Sequence, residues 1–144
     1  MDAKQHPQTL IDAAERHAQR LQPVLAHITA HLGESLPLHQ LAALSGLSLW
    51  RFATVFREHM GVAPHRYIFL ERVRYAQALL RAGMAPATVA SEAGFCDQSH
   101  LSRRFKHAYR ETPGQYQLRH NHFPRARRHG RLKPQFYIPL IDNV

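Results

Sequence analysis

The sequence predicts an all-α protein made of two helix-turn-helix subdomains joined by a long linker helix. Three observations predict it. First, there is an internal repeat. Leu41-Ala-Ala-Leu-Ser-Gly46-Leu47 recurs as Val89-Ala-Ser-Glu-Ala-Gly94-Phe95 at an offset of 48, and Phe52, Phe56, Arg57, Met60, Val62 and Pro64 recur as Leu101, Phe105, Lys106, Tyr109, Glu111 and Pro113 at an offset of 49. The second copy therefore carries one extra residue in the turn after its glycine, and two copies are too few for a solenoid. Second, glycine and proline divide each copy into a short helix, a tight turn and a longer helix, the helix-turn-helix pattern. Third, no alternating strand pattern of useful length occurs before residue 130.

Residues 1–21 read as an N-terminal extension and 22–64 as the first lobe. Residues 8–32 look helical, but Pro23 is expected to break or restart the helix, because it lacks an N–H and its ring crowds the preceding turn. After it, Val24, Leu25, Ile28 and Leu32 share an apolar face. Pro37 suits the first turn of a short helix, which ends at Gly46, a residue tolerant of the left-handed conformation. Ser48 is the N-cap candidate of a helix over 49–60 closed by Gly61. Pro64 opens the linker helix, 65–82, closed by Gly83. The second lobe, 83–118, repeats the plan with Pro86, a short helix, Gly94, Asp97 as N-cap, a helix over 98–110 and then Pro113.

Residues 119–144 form a basic C-terminal tail with Arg125, Arg127, Arg128, Arg131 and Lys133, followed by an apolar end from Phe136 to Ile141. That tail reads either as an arginine-rich nucleic-acid arm or as a solvated segment.

Composition narrows the function. Nineteen Lys and Arg against ten Asp and Glu give a formal charge of +9, with the excess after residue 34. Such a chain expects polyanionic partners, nucleic acid or an anionic surface. With 44% hydrophobic residues the 144-residue chain can build a core. A single cysteine, Cys96, excludes an intrachain disulfide and a cysteine zinc site. No run of 18 apolar residues occurs, and residues 1–9 lack the apolar region of a signal peptide, so no membrane partner is expected and a reducing cytoplasm fits.

The longer helices show which face meets the polyanion. At about 100° per residue, Phe52, Val55, Phe56 and Met60 share one side of 49–60, with Trp50, Thr54 and Arg57 opposite and Ala53 and Glu58 flanking. In 98–110, Leu101, Phe105, Ala108 and Tyr109 make the apolar side, with Ser99, Arg103, Lys106 and Arg110 opposite. Outward Arg, Lys and small polar groups suit the major groove, where arginine donates twice to guanine and small side chains admit the backbone. Trp50 either contacts the groove or packs on a neighbouring helix. The linker, roughly 27 Å long, makes a separation of about one DNA turn, roughly 34 Å, plausible for the two recognition helices.

These residues also carry a resemblance. The motifs are Leu41-Ala-x-x-Ser-Gly46-Leu-Ser, Phe52-x-x-x-Phe56-Arg, Gly61-Val-x-Pro64, Tyr67-Ile68-x-x-x-Arg72-x-x-x-Ala76-x-x-Leu79-Leu80, Val89-Ala-x-x-Ala-Gly94-Phe95, Asp97-Gln98-Ser99-His100-Leu101-Ser102-Arg103-x-Phe105-Lys106 and Thr112-Pro113-x-x-Tyr116. Over residues 22–117 the chain resembles the DNA-binding domain of the AraC/XylS family of bacterial transcription regulators, and in particular the family's single-domain members. The resemblance implies a cytoplasmic, nucleoid-associated activator that binds about two turns of double-stranded promoter DNA as a monomer and contacts RNA polymerase. It assigns DNA contact to Trp50, Ala53, Thr54 and Arg57, and to Gln98, Ser99, Ser102, Arg103 and Lys106; Arg51, His100 and Arg110 complete the candidate set. Two residues depart from the family. Thr54 stands where single-domain members have a base-reading arginine. Arg110 stands where the family usually has glycine, at an expected left-handed cap, which costs about 1 kcal/mol. Either the helix runs on there or Arg110 gains a phosphate contact.

Rival readings have less behind them. A nonspecific, nucleoid-type DNA-binding protein is the alternative. Among twelve histidines, His27 and His31 share a helix face and His120 and His122 are close in sequence, but neither pair gains the third ligand of a catalytic zinc. Asp97, Ser99 and His100 would diverge on one helix and make no triad, and no glycine-rich phosphate loop occurs. No enzyme, metal or cofactor is expected. Cys96 reads as a small turn filler, with a redox switch the less favoured alternative.

Overall fold

The computed structural model describes residues 7–120, which form seven helices and no strand. They are α1 (Pro7–Ala30), α2 (Leu38–Ser45), α3 (Leu49–Met60), α4 (Pro64–Arg81), α5 (Pro86–Glu92), α6 (Gln98–Tyr109) and α7 (Pro113–His120). The basic tail cluster at 125–133, the apolar end at 136–141 and His122 lie outside the described residues. The all-α expectation holds. The chain divides into two compact units. The first takes the described residues up to Ile28 together with Leu36–Tyr67, and the second takes Thr29–Ser35 with the described residues from Ile68 onward.

In the first unit, α1 buries Leu21, Val24 and Ile28. Contrary to the expected break, α1 is one helix running through Pro23. A proline inside a helix costs about 3 kcal/mol, but residues buried on both sides of it hold the helix continuous. α2 buries Leu41 and Ala42, and α3 buries Phe52, Val55 and Phe56. Pro37 sits one position earlier than expected, at the N-cap of α2 with extended backbone. The α2–α3 turn follows from its residues. Gly46 adopts φ +70, and its N–H reaches the carbonyl of Ala43 at 3.1 Å. Ser45 Oγ donates to the carbonyl of Ala42 at 2.6 Å, and Arg20 Nη1 donates to the carbonyl of Ser45 at 3.3 Å.

The second unit has its own core of Val73, Ala76, Leu79, Leu80, Val89, Ala90, Ala93, Phe95, Leu101, Phe105 and Tyr116. Gly94 is required here: at φ +82, a Cβ would lie 2.3 Å from the carbonyl oxygen of Leu32 and 2.8 Å from Nε of Arg72. Arg72 uses that space, donating from Nε to Leu32 O at 3.0 Å and from Nη2 to Glu34 O at 2.7 Å. Burial, reinforced by Tyr116, pushes the Tyr109 phenol above its ordinary value. It keeps its proton and donates to Gln77 Oε1 at 3.2 Å. Ala108, expected on the apolar side of α6, is exposed. Helix α7 was not signalled beyond its opening Pro113. It closes the unit through Tyr116 and through Gln117 Nε2, which donates to the carbonyls of Leu80 and Met84.

Candidate nucleic-acid interface

Both candidate recognition helices start with a side-chain cap. Ser48 Oγ accepts from Arg51 N at 3.3 Å, and Asp97 Oδ1 accepts from His100 N at 2.7 Å. Each cap satisfies one of the N–H groups that a helix start leaves unpaired. They end alike as well. Gly61 and Arg110 are both left-handed, at φ +79 and +63, and their N–H groups bond Arg57 O and Lys106 O. The helix therefore does not run on past Arg110, which is the one non-glycine residue at positive φ among the described residues.

On α3, in the first unit, Trp50 is 75% exposed, so of its two readings packing on a neighbouring helix is the one the structure does not support. Arg51 and Arg57 are exposed, and Ala53 and Thr54 are half-buried. Thr54 Oγ1 donates to the carbonyl of Trp50 at 3.1 Å. On α6, in the second unit, Gln98, Ser99, Arg103 and Lys106 are exposed, as is Arg110 at its end, while Ser102 is half-buried. His100 is half-buried and partly committed to structure. Its Nδ1 accepts from Cys96 N at 3.3 Å, and its ring meets Phe95 edge-on at 5.5 Å. Cys96 itself is an exposed thiol in the α5–α6 turn. The candidates thus form two separate faces, one on each recognition helix.

Two basic residues escaped the sequence reading. Arg104 and His107 line a notch on α6 together with His100 and Arg103. The Arg104 guanidinium lies over the Phe69 ring, 5.4 Å from its centroid. The repeat hides Arg104, because its equivalent in the first copy is Val55, a fully buried core residue. The signal that finds both is the i, i+3, i+4, i+7 spacing of 100, 103, 104 and 107, which places four basic side chains on one helix side.

The faces differ in charge. α6 with its C-terminal cap presents Arg103, Arg104, Lys106 and Arg110, all exposed, and its N-cap carboxylate, Asp97, accepts from His100 N. α3 presents Arg51 and Arg57 with the carboxylate of Glu58. Among the described residues no three His, Cys, Asp or Glu come together as a metal site, and no helix is long and apolar enough to cross a membrane.

A family model described as a helix-turn-helix domain matches residues 41–119, more than half of the chain. The chain belongs to the AraC family of helix-turn-helix transcription regulators. It is similar to the probable transcriptional regulator LumQ of Photobacterium leiognathi, at 31% identity over 107 residues, covering 72% of this chain and 43% of LumQ. It is also similar to the transcriptional activator RhaS of Escherichia coli, at 30% identity over 106 residues, covering 73% of this chain and 38% of RhaS. It thus spans about two-fifths of the length of these relatives. Among solved structures, the DNA-binding domain of the global transcriptional factor AdpA, in complex with a target DNA, superposes with a TM-score of 0.66 at 30% identity, covering 69% of this chain and 91% of that domain. An AraC-type regulator from Chromobacterium violaceum, at 19% identity and a TM-score of 0.67, covers 74% of this chain and 96% of its own and shares the fold. This AraC-type chain therefore carries the family's DNA-binding domain.

Proposed function

We propose that this AraC-type chain binds double-stranded promoter DNA sequence-specifically as a monomer. In this reading α3 and α6 enter successive major grooves, and the bound protein activates transcription through contact with RNA polymerase. The observation that carries the reading is the matched pair of helices α3 and α6, each with a side-chain N-cap and a left-handed C-cap, and each with a solvent-facing side opposite a buried one. Trp50, Arg51, Ala53, Thr54 and Arg57 are the contact set of the first half-site. Gln98, Ser99, His100, Ser102, Arg103, Lys106 and Arg110 are that of the second. The 18-residue α4 between the two recognition helices in the chain is itself roughly 27 Å long. The relatives named as activators support the regulatory half of the reading.

Selection of bound duplexes from a random pool tests it, followed by titration of the selected and a scrambled duplex at one salt concentration. A specific binder prefers the selected duplex by about a thousandfold or more. A ratio near one defeats specific reading. Placing the selected site upstream of a core promoter in a purified transcription reaction should raise transcript yield; repression would defeat the activator assignment.

A further inference from the structure

We infer that the notch on α6 is a seat for a DNA backbone phosphate with Arg104 as its principal ligand, and that it makes the second module the electrostatic anchor of the protein. The inference rests on the DNA-binding reading above and adds to its contact set Arg104 and His107, which share the notch with His100 and Arg103 of that set. Four basic side chains, His100, Arg103, Arg104 and His107, line one concavity. Between Gln98 and Tyr109 no acidic residue opposes an anion, and the N-cap carboxylate of Asp97 is engaged by His100 N.

Arg104 is held for the task. Its guanidinium carbon lies over the Phe69 ring of α4, within the same unit and 5.4 Å from its centroid, a cation–π distance, and a side chain restrained in this way loses less freedom on binding a phosphate than a free one. Arg104 breaks the repeat in the direction a phosphate site requires, replacing a core valine by an exposed cation. At the neighbouring outward position the substitution has the same sense, with His107 where the first module has Glu58. On α3 the carboxylate offsets part of the charge of Arg51 and Arg57. Binding that ignores sequence is dominated by phosphate contacts, so nonspecific association should be carried by α6, with α3 engaging on the correct site.

Arg104→Gln, Arg104→Lys and, on the other module, Arg57→Gln are titrated with the selected and a scrambled duplex over a range of salt. Arg104→Gln should weaken both duplexes by a similar factor, about five- to tenfold, and lower the salt slope by about one unit. Arg104→Lys should restore the slope, because it keeps the charge, while recovering only part of the affinity. On scrambled DNA, Arg57→Gln should have a smaller effect than Arg104→Gln. An unchanged slope in Arg104→Gln overturns the phosphate seat, as does a loss confined to the selected duplex. Equal effects of Arg57→Gln and Arg104→Gln on scrambled DNA overturn the anchor. Failure of the underlying reading is recognised separately, since it shows in the wild-type chain as equal affinity for the two duplexes. Inorganic phosphate added alone should protect or shift the α6 resonances only at concentrations that screen every cation alike; tight, selective binding of free phosphate would mean that the notch serves a small anion and not DNA.

Discussion

The ring of Tyr67 meets Phe56 edge-on with centroids 5.3 Å apart, and the arrangement recurs between Tyr116 and Phe105 at the same 5.3 Å. Both pairs obey the 49-residue offset, and all four side chains are buried. The repeat therefore extends past the prolines: the start of α4 stands to the first module as α7 stands to the second. Each aromatic pair ties the recognition helix to the helix that follows it, and such pairs add about 0.5–1.5 kcal/mol beyond burial.

Phe56→Ala and Phe105→Ala should accordingly each cost about 3–5 kcal/mol. Because the two rings lie in different units, the damage should be local. Hydrogen exchange of Phe105→Ala should show α5, α6 and α7 losing protection while α2 and α3 retain theirs. Uniform loss would mean that the two modules unfold as one.

The Arg110 cap sets stability against binding. A non-glycine residue in the left-handed region costs about 1 kcal/mol or more, and Arg110 adopts it at an exposed position. Arg110→Gly should raise the thermal midpoint by a few degrees, corresponding to about 1 kcal/mol. It should also weaken all duplexes alike and reduce the salt slope by about one unit. Stabilisation with unaltered DNA binding would reduce Arg110 to a solvated cap.

Trp50 and Thr54 divide the first half-site unequally. The Thr54 hydroxyl proton is turned back onto the Trp50 carbonyl, so its donor is spent within the helix. Trp50 is left projecting with a large apolar surface. Thr54→Val, which removes only the hydroxyl, should change affinity by no more than about twofold if its methyl makes the contact, since the hydrogen bond it loses is a local one. Trp50→Ala should leave stability within about 0.5 kcal/mol, as exposed positions do, yet cost about 1–3 kcal/mol on the selected duplex. Melting curves run beside the titrations separate the two effects. A destabilised Trp50→Ala would show that the indole supports the fold.

Most of the fold was legible because its punctuation is chemical. Ser48 and Asp97 cap where a short acceptor side chain must, and Gly46, Gly61 and Gly94 stand where the backbone turns left-handed. What escaped depends on contacts distant in sequence. The Arg72 bonds to Leu32 and Glu34 span 40 and 38 residues and leave no periodic trace. Pro23 was misread because a local rule was overridden by burial of Leu21, Val24 and Ile28 around it. At the interface, the outward positions of α3 and α6 followed from helical period alone. The double duty of His100 did not, because its bond to Cys96 N depends on how the turn folds back. Arg104 was hidden by the repeat itself, which promised a core residue.

Arg103 gives the sharpest test of base reading. It is exposed on α6, one turn beyond Ser99 and at the position equivalent to Thr54. Its planar guanidinium can donate two hydrogen bonds to the O6 and N7 of one guanine, a geometry that lysine cannot copy. With the Arg104 guanidinium placed over the Phe69 ring, Arg103 is the arginine of the pair proposed to reach a base edge. Arg103→Ala should cost about 1–3 kcal/mol on the selected duplex and relax selection at one base pair, while scrambled DNA changes much less. Arg103→Lys should keep the salt slope but fail to restore that selection, since charge returns without the fork. Titrating each variant against the selected duplex and the same duplex with that base pair exchanged decides the matter. Equal losses on both duplexes would place Arg103 on the phosphate backbone and leave base reading in the second half-site to Gln98 and Ser99.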